Sequence, residues 1–184
     1  MRIIAGRFRG RALAAPSGLA TRPTSARARG ALFEILRPRL KGASVADLFA
    51  GTGALGLEAL SRGARKIDFY ESQRAALESL RKNVALLGAA AETQVVPGAL
   101  PDSIGAGDSY DLVFVDAPWR QGLELAVAAR LVARQRLAPG ALIVVENPRR
   151  EDLAVERFVA LGLALDDQRT YGDTALHFFV RPSQ

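Results

Sequence analysis

The sequence contains no cysteine, so disulfides, thiolate nucleophiles and cysteine-ligated metals are excluded. A single histidine, His177, rules out a His-rich metal site, and its apolar surroundings predict a structural role. No apolar run approaches the roughly 20 residues that a membrane-spanning helix requires. The first residues, Met1-Arg2-Ile3-Ile4-Ala5-Gly6-Arg7, lack the apolar stretch of a secretory signal. The cytoplasm is therefore the expected compartment, with no membrane partner. Internal repeats and low-complexity tracts are also missing. With 49% hydrophobic and 24% charged residues the chain is not a disordered one. Its 184 residues suit one domain with at most a small extension.

Acid is scarce in one region. Residues 1–41 hold ten basic side chains against the single acid Glu34, a net of +9 that leaves −3 for residues 42–184. A GC-rich genome would explain arginine in place of lysine, but it would not cluster the charge. A basic head (1–41) on a mildly acidic body (42–184) predicts a polyanionic partner, with Arg7, Arg9, Arg11, Arg22, Arg27 and Arg29 as candidate phosphate contacts.

Within the head, residues 2–14 alternate weakly and predict a short hairpin. Thr24 or Ser25 is placed to N-cap a helix with Ala28, Leu32, Ile35 and Leu36 on its apolar face, which Pro38 ends or kinks. From residue 44 strands alternate with helices. Strands are expected at 45–49, 66–70, 93–96, 112–115 and 141–145, and helices at 54–62, 73–87, 121–137 and 151–161. Two last segments, 163–170 and 174–181, read as an antiparallel hairpin turning at Tyr171-Gly172-Asp173. The pattern predicts a doubly wound α/β sheet of seven strands, mostly parallel, with helices on both faces.

In such a sheet a ligand binds beyond the carboxyl ends of the strands, and three strand ends here carry chemistry. Asp47-Leu48-Phe49-Ala50-Gly51-Thr52-Gly53-Ala54-Leu55-Gly56 combines a strand end with glycines that permit a tight turn and close approach of a ligand. A plain strand–helix turn or a dinucleotide enzyme would show the same glycines. Glu71 follows about 20 residues later, where an acid binds the ribose hydroxyls of a nucleoside. Asp116-Ala117-Pro118-Trp119 ends the apolar run Leu112-Val113-Phe114-Val115. There a carboxylate and a backbone carbonyl can accept hydrogen bonds from an exocyclic amine, while the indole stacks on the base. The bland alternative is a proline turn with Trp119 filling the core.

Taken together these residues resemble the class I S-adenosylmethionine methyltransferases, in the branch that methylates amino groups. The similarity is closer to the RsmD-type 16S rRNA guanine-N2 methyltransferases. It is carried by Arg2-Ile3-Ile4-Ala5-Gly6, Gly10-Arg11, Thr21-Arg22-Pro23-Thr24, Leu32-Phe33, the glycine loop from Asp47 through Gly63, Val113-Phe114-Val115-Asp116 and Tyr171-Gly172-Asp173-Thr174. Two positions depart from that pattern. Ala117 stands where the family has proline, and Gly30 where it usually has an acid, at a cost in helix stability of roughly 1 kcal/mol.

The resemblance implies methyl transfer from S-adenosylmethionine to N2 of a guanine in 16S rRNA, expected to be guanine 966, in the 30S subunit or an assembly intermediate, by a monomer. It implies that Asp47, Phe49, Gly51, Gly53, Glu71, Ser72, Ala99 and Leu100 surround the cofactor. Asp116, Ala117, Pro118 and Trp119 would hold the target amine, and Arg22 and Thr24 would close over the site. Glu146-Asn147 is a further candidate for the base pocket, and Arg149-Arg150 for the basic surface. Rival readings are an NAD-dependent enzyme, an adenine-N6 methyltransferase on another nucleic acid, and an RNA-binding protein whose methyltransferase fold is inactive.

Overall fold

The computed structural model describes residues 1–16, 26–119 and 121–183, with the side chains of residues 26 and 27 outside that description. The elements in chain order are α1 (Ala26–Leu40), β1 (Ser44–Leu48), α2 (Ala54–Ser61), β2 (Lys66–Glu71), α3 (Arg74–Leu86), β3 (Thr93–Pro97), β4 (Tyr110–Val115), α4 (Leu123–Ala133), β5 (Leu137–Pro148), α5 (Val155–Ala160), β6 (Ala164–Tyr171) and β7 (Thr174–Val180). The strands form one sheet in the order β3-β2-β1-β4-β5-β7-β6. β7 runs antiparallel to both β5 and β6, and the other pairings are parallel. The expected seven-stranded sheet with an antiparallel C-terminal hairpin is therefore present. The chain winds outward from β1 to β3, then returns to β4 beside β1. That reversal opens a crevice at the carboxyl ends of β1 and β4, where doubly wound sheets bind ligands.

Alternation along the central strands sends side chains to two cores. Val45, Phe69, Leu112, Phe114 and Val144 pack under α1, α2 and α3 with Phe33, Leu57 and Leu80. Ala46, Leu48, Val113, Val115 and Ile143 pack under α4 and α5 with Val127, Leu131 and Phe158. Burial of β1 and β4 on both faces explains why their sequences read as nearly continuous apolar runs. The second core also encloses a polar cluster. Tyr110 donates to Asp68 at 2.8 Å and shares a 2.9 Å hydrogen bond with Tyr70, while Arg136 donates to the Tyr110 hydroxyl.

Several boundaries differ from expectation. The N-terminal hairpin reduces to one bridge, Arg2 with Ala12, because most of its backbone groups bond across turns or to α2. The head is anchored in the first core through Ile3, Leu13, Phe33, Leu36 and Leu40. In α1 the buried stripe is Ala28, Leu32, Leu36 and Leu40 with Phe33, leaving Ile35 exposed. Pro38 lies inside this helix, which continues to Leu40. α4 stops at Ala133, and Gln135 with φ 54° turns the chain into a β5 longer than expected, since Leu137 already pairs with Tyr110. α5 starts later than expected, at Val155.

Candidate active site

Four carboxylates lie at the carboxyl ends of four adjacent strands. Asp47 is the penultimate residue of β1, Glu71 ends β2, Asp116 follows β4 and Glu146 lies near the end of β5. Asp47 pairs in register with Phe69 on one side and Phe114 on the other, and Val115 pairs with Val145. Strand alternation therefore continues from Phe69 to Glu71, Phe114 to Asp116 and Val144 to Glu146, all on the α1–α3 face. The row runs Glu71, Asp47, Asp116, Glu146 across the crevice.

Like charges in a low-dielectric setting resist ionisation. Burial pushes the Asp47 carboxyl up to about 8, an N–H bond from Gly56 draws it back, and Asp116 and Glu71 push it up further. That bond, Gly56 N–H to Asp47 Oδ2 at 2.8 Å, ties the strand to the first turn of α2. Burial, then the nearby Glu146 charge, pushes Asp116 up to about 7. A cation beside such a row would favour its ionised forms. Among the described residues no group of His, Asp and Glu is arranged to hold a metal ion.

The glycines divide the labour. A side chain added at Gly51 would meet nothing, so the loop presents bare backbone to open space. A Cβ at Gly53 would collide with Leu80, and one at Gly56 with Phe69 and Ile67. At Gly53 the missing side chain also lets α2 and the loop pack onto α3 and β2. Phe49 adopts φ 63° immediately after β1, a strained conformation for a non-glycine residue. The Ala50 N–H then bonds Tyr70 O at 2.9 Å, and the Gly53 N–H bonds Ala50 O at 2.7 Å, which fixes the turn.

Glu71 accepts the N–H groups of Gly51 at 2.7 Å, Ser72 at 2.7 Å and Gln73 at 2.8 Å. A carboxylate offers about four lone-pair sites, so one remains for a ligand hydroxyl. Gly98 N–H bonds Glu71 O at 3.0 Å, bringing the end of β3 alongside. Exposed Ser72 and Ala99 flank this end of the sheet, while Leu100 packs against the second core. On the other side of the crevice Ala117 is buried, whereas Pro118 is exposed and Trp119 is 44% exposed. Trp119 is thus no core filler, and its indole is available to a base.

The arginines separate by placement. Arg9 is exposed. Arg7 pairs with Glu92 at 2.6 Å and stacks over Phe8, and Arg11 donates to Leu86 O at 2.9 Å, so both also fasten the head beside α3. Arg29, expected on the RNA surface, is 4% exposed and donates to Arg2 O at 2.7 Å. It is a buried brace for the N-terminal segment, and burial lowers its pKa. Arg22, Thr24 and the Arg27 side chain lie outside the described residues.

Three residues that sequence reading missed hold the head in place. Glu58, fully buried in α2, accepts the N–H groups of Ile4 and Ala5 at 2.7 and 3.0 Å and pairs with Arg62 at 2.7 Å. Ser61 donates to Ala5 O at 2.5 Å and accepts the Phe8 N–H at 2.9 Å. Asn83 of α3, also fully buried, exchanges hydrogen bonds with the Ala14 backbone and donates to Thr52 O at 2.9 Å. An acid and an amide amid the apolar spacing of two helices were the available signals. Asn147 is a turn holder, donating to Glu151 O at 2.8 Å. His177 is 4% exposed on β7, with its pKa lowered by burial.

Comparison with known proteins agrees with this architecture. A family model described as "Conserved hypothetical protein 95" matches residues 1–180. Ribosomal RNA small subunit methyltransferase D of Escherichia coli is 38% identical over 184 residues, covering 100% of this chain and 91% of that protein. The chain belongs to the ribosomal RNA small subunit methyltransferase D family. The Haemophilus influenzae member is 35% identical, covering 83% of this chain and 81% of its own length. The solved structure of yhhF from Escherichia coli, assigned there as a methyltransferase, superposes with a TM-score of 0.88 at 38% identity, covering 100% and 99% of the two chains. The match to the family spans the basic head as well as the sheet, so both belong to the family's common body.

Proposed function

We propose that this protein transfers the methyl group of S-adenosylmethionine to the N2 amine of a guanine in 16S rRNA, at position 966, with the 30S subunit or an assembly intermediate as substrate and a monomer as the acting species. The observation that carries this reading is the placement of Asp116-Ala117-Pro118-Trp119 across the switch-point crevice from Gly51 and Glu71. At Gly51 the backbone faces open space, which leaves room for a ligand to approach it closely. The relatives' names, which specify small-subunit rRNA, support the substrate class.

When bound, S-adenosylmethionine supplies a methyl group already activated on sulfur. The protein's work is then proximity, orientation and exclusion of water. Glu71 accepts one ribose hydroxyl with its remaining lone-pair capacity, and Asp47 faces the ammonium. Ser72 and the backbone of Ala99 and Leu100 border the adenine. Asp116 accepts a hydrogen bond from the guanine amine, and the carbonyl of Ala117 or Pro118 accepts the other. These bonds favour a pyramidal nitrogen and free its lone pair from the ring. Trp119 stacks on the splayed base. The proton released from the methylated amine passes to solvent. The head's exposed arginines set affinity and register through phosphates.

Incubation with labelled S-adenosylmethionine and 30S subunits lacking the modification tests this. Label incorporated into 16S rRNA supports the proposal. Binding of those subunits without transfer would favour the inactive RNA-binding reading that Ala117 raises. Thermal protection by NAD(H) and not by S-adenosylmethionine would favour the dinucleotide alternative.

A further inference from the structure

We propose that Glu146 sets the base specificity of this site by accepting the N1–H of guanine next to the amine held by Asp116, so that guanine is taken and adenine refused. The inference rests on the amine-methylation reading above and adds the residue that chooses the base.

Five observations place Glu146 there. The parallel register Val115 with Val145 puts the residues that follow, Asp116 just past β4 and Glu146 in β5, beside one another at the ends of strands about 4.8 Å apart. Both continue the alternation of the α1–α3 face. The Glu146 side chain is half-buried at the rim of the crevice and not sealed in the core. Thr174 of β7 donates to its Oε1 at 3.4 Å, so the carboxylate is oriented from the next strand. This also assigns work to the Tyr171-Gly172-Asp173-Thr174 segment, which the methyl-transfer chemistry leaves unused. Burial first and then the field of Glu146 raise the pKa of Asp116, so the two carboxylates are close enough to feel one another.

The chemistry of the bases turns this pair into a filter. On its Watson–Crick edge guanine presents N1–H and the N2 amine side by side, all donors. Two adjacent carboxylates, which only accept when ionised, match that edge. Adenine and cytosine each place an acceptor, N1 or N3, next to the exocyclic amine. Set opposite Glu146, that lone pair would face a carboxylate with no proton between them. A site built to hydrogen-bond one group rejects the analogue that lacks it far more strongly than an apolar pocket does.

The test uses 30S subunits carrying guanosine or 2,6-diaminopurine riboside at the target position. Diaminopurine keeps the N2 amine but replaces N1–H with an acceptor. The wild-type protein is expected to prefer guanine by about tenfold or more in kcat/KM, within the range of one lost specific base contact. Glu146→Gln can donate to the diaminopurine N1, so its preference should collapse or invert, with unchanged affinity for S-adenosylhomocysteine. Thr174→Val should shift the preference the same way by a smaller factor. If Glu146→Gln turns over too slowly to rank, binding of the two subunits with S-adenosylhomocysteine present gives the same ratio. A wild-type ratio preserved in Glu146→Gln, or a wild-type protein indifferent to the two bases, overturns the role of Glu146 alone. A wild-type protein that methylates neither base overturns the amine-methylation reading, and this inference with it.

Discussion

Glu71 and Gly51 face each other across the ends of β2 and β1, with the glycine N–H 2.7 Å from the carboxylate. The residue proposed as a ribose ligand organises the glycine loop. Glu71→Ala should lose both functions. Charge-assisted hydrogen bonds contribute about 1.5–3 kcal/mol, so affinity for S-adenosylmethionine should fall by at least about tenfold in calorimetry. RNA affinity should change little, since Glu71 is not one of the proposed phosphate contacts. Unaltered cofactor affinity would remove Glu71 from the cofactor site.

Asn83 connects the head to the same loop. Asn83→Ala strands the Thr52 and Ala14 carbonyls and the Ala14 N–H, and an unpaired buried polar group costs about 1–3 kcal/mol. At about 2–4 °C per kcal/mol for a chain of this size, a melting-temperature drop of several degrees is expected. Cofactor affinity should weaken as well, because Thr52 belongs to the glycine loop. Ser61→Ala frees bonds to the head without touching that loop, and should lower stability while leaving cofactor affinity intact. Equal cofactor affinities in the two variants would contradict the link.

The raised pKa values of Asp47 and Asp116 give a pH signature. Both carboxyls hold their protons more tightly folded than unfolded, so the folded protein binds more protons between about pH 4 and pH 8. Stability of the ligand-free protein contributed by these groups is present at low pH and is lost as pH rises through about 7 and 8. A cationic ligand favours the ionised forms, so S-adenosylmethionine should bind more tightly, and raise the melting temperature more, at pH 8 than at pH 6. Melting curves with and without ligand across that range check the sign. Asp116→Asn should flatten part of this dependence and cut turnover by about tenfold or more, since a neutral amide oxygen accepts the amine more weakly than a carboxylate does.

Arg7 and Arg11 already bond Glu92 and the Leu86 carbonyl, whereas Arg9 is exposed. Replacing all three with alanine should weaken RNA binding and flatten its salt dependence by about one to two units, at roughly 0.7–0.9 per phosphate contact. Cofactor affinity should not change. A wild-type slope would move the RNA surface elsewhere, starting with Arg149 and Arg150.

What sequence reading captured lies in short, contiguous signals. The strands around Asp47, Glu71 and Asp116 stood out because burial on both faces leaves apolar runs with chemistry only at their ends. The C-terminal hairpin stood out through its turn. Contacts between distant segments left no such trace. Glu58 bonds residues 53 and 54 positions away, and Asn83 residues 31 and 69 positions away. Arg29 looked like its neighbours in a basic cluster, and only the fold shows it buried and bonded to the Arg2 carbonyl. Gly53 and Gly51 are indistinguishable as letters, and separate only once Leu80 is seen to occupy the space beside one of them.

The central claim is that one amine of one base in 16S rRNA receives the methyl group. Digestion of labelled 30S product to nucleosides, followed by chromatography and mass spectrometry, tests it most directly. The account predicts label in N2-methylguanosine and in no other nucleoside, incorporated much more slowly by Asp116→Asn. Label in N6-methyladenosine, or no transfer to 16S rRNA by a protein that binds S-adenosylmethionine, would contradict it.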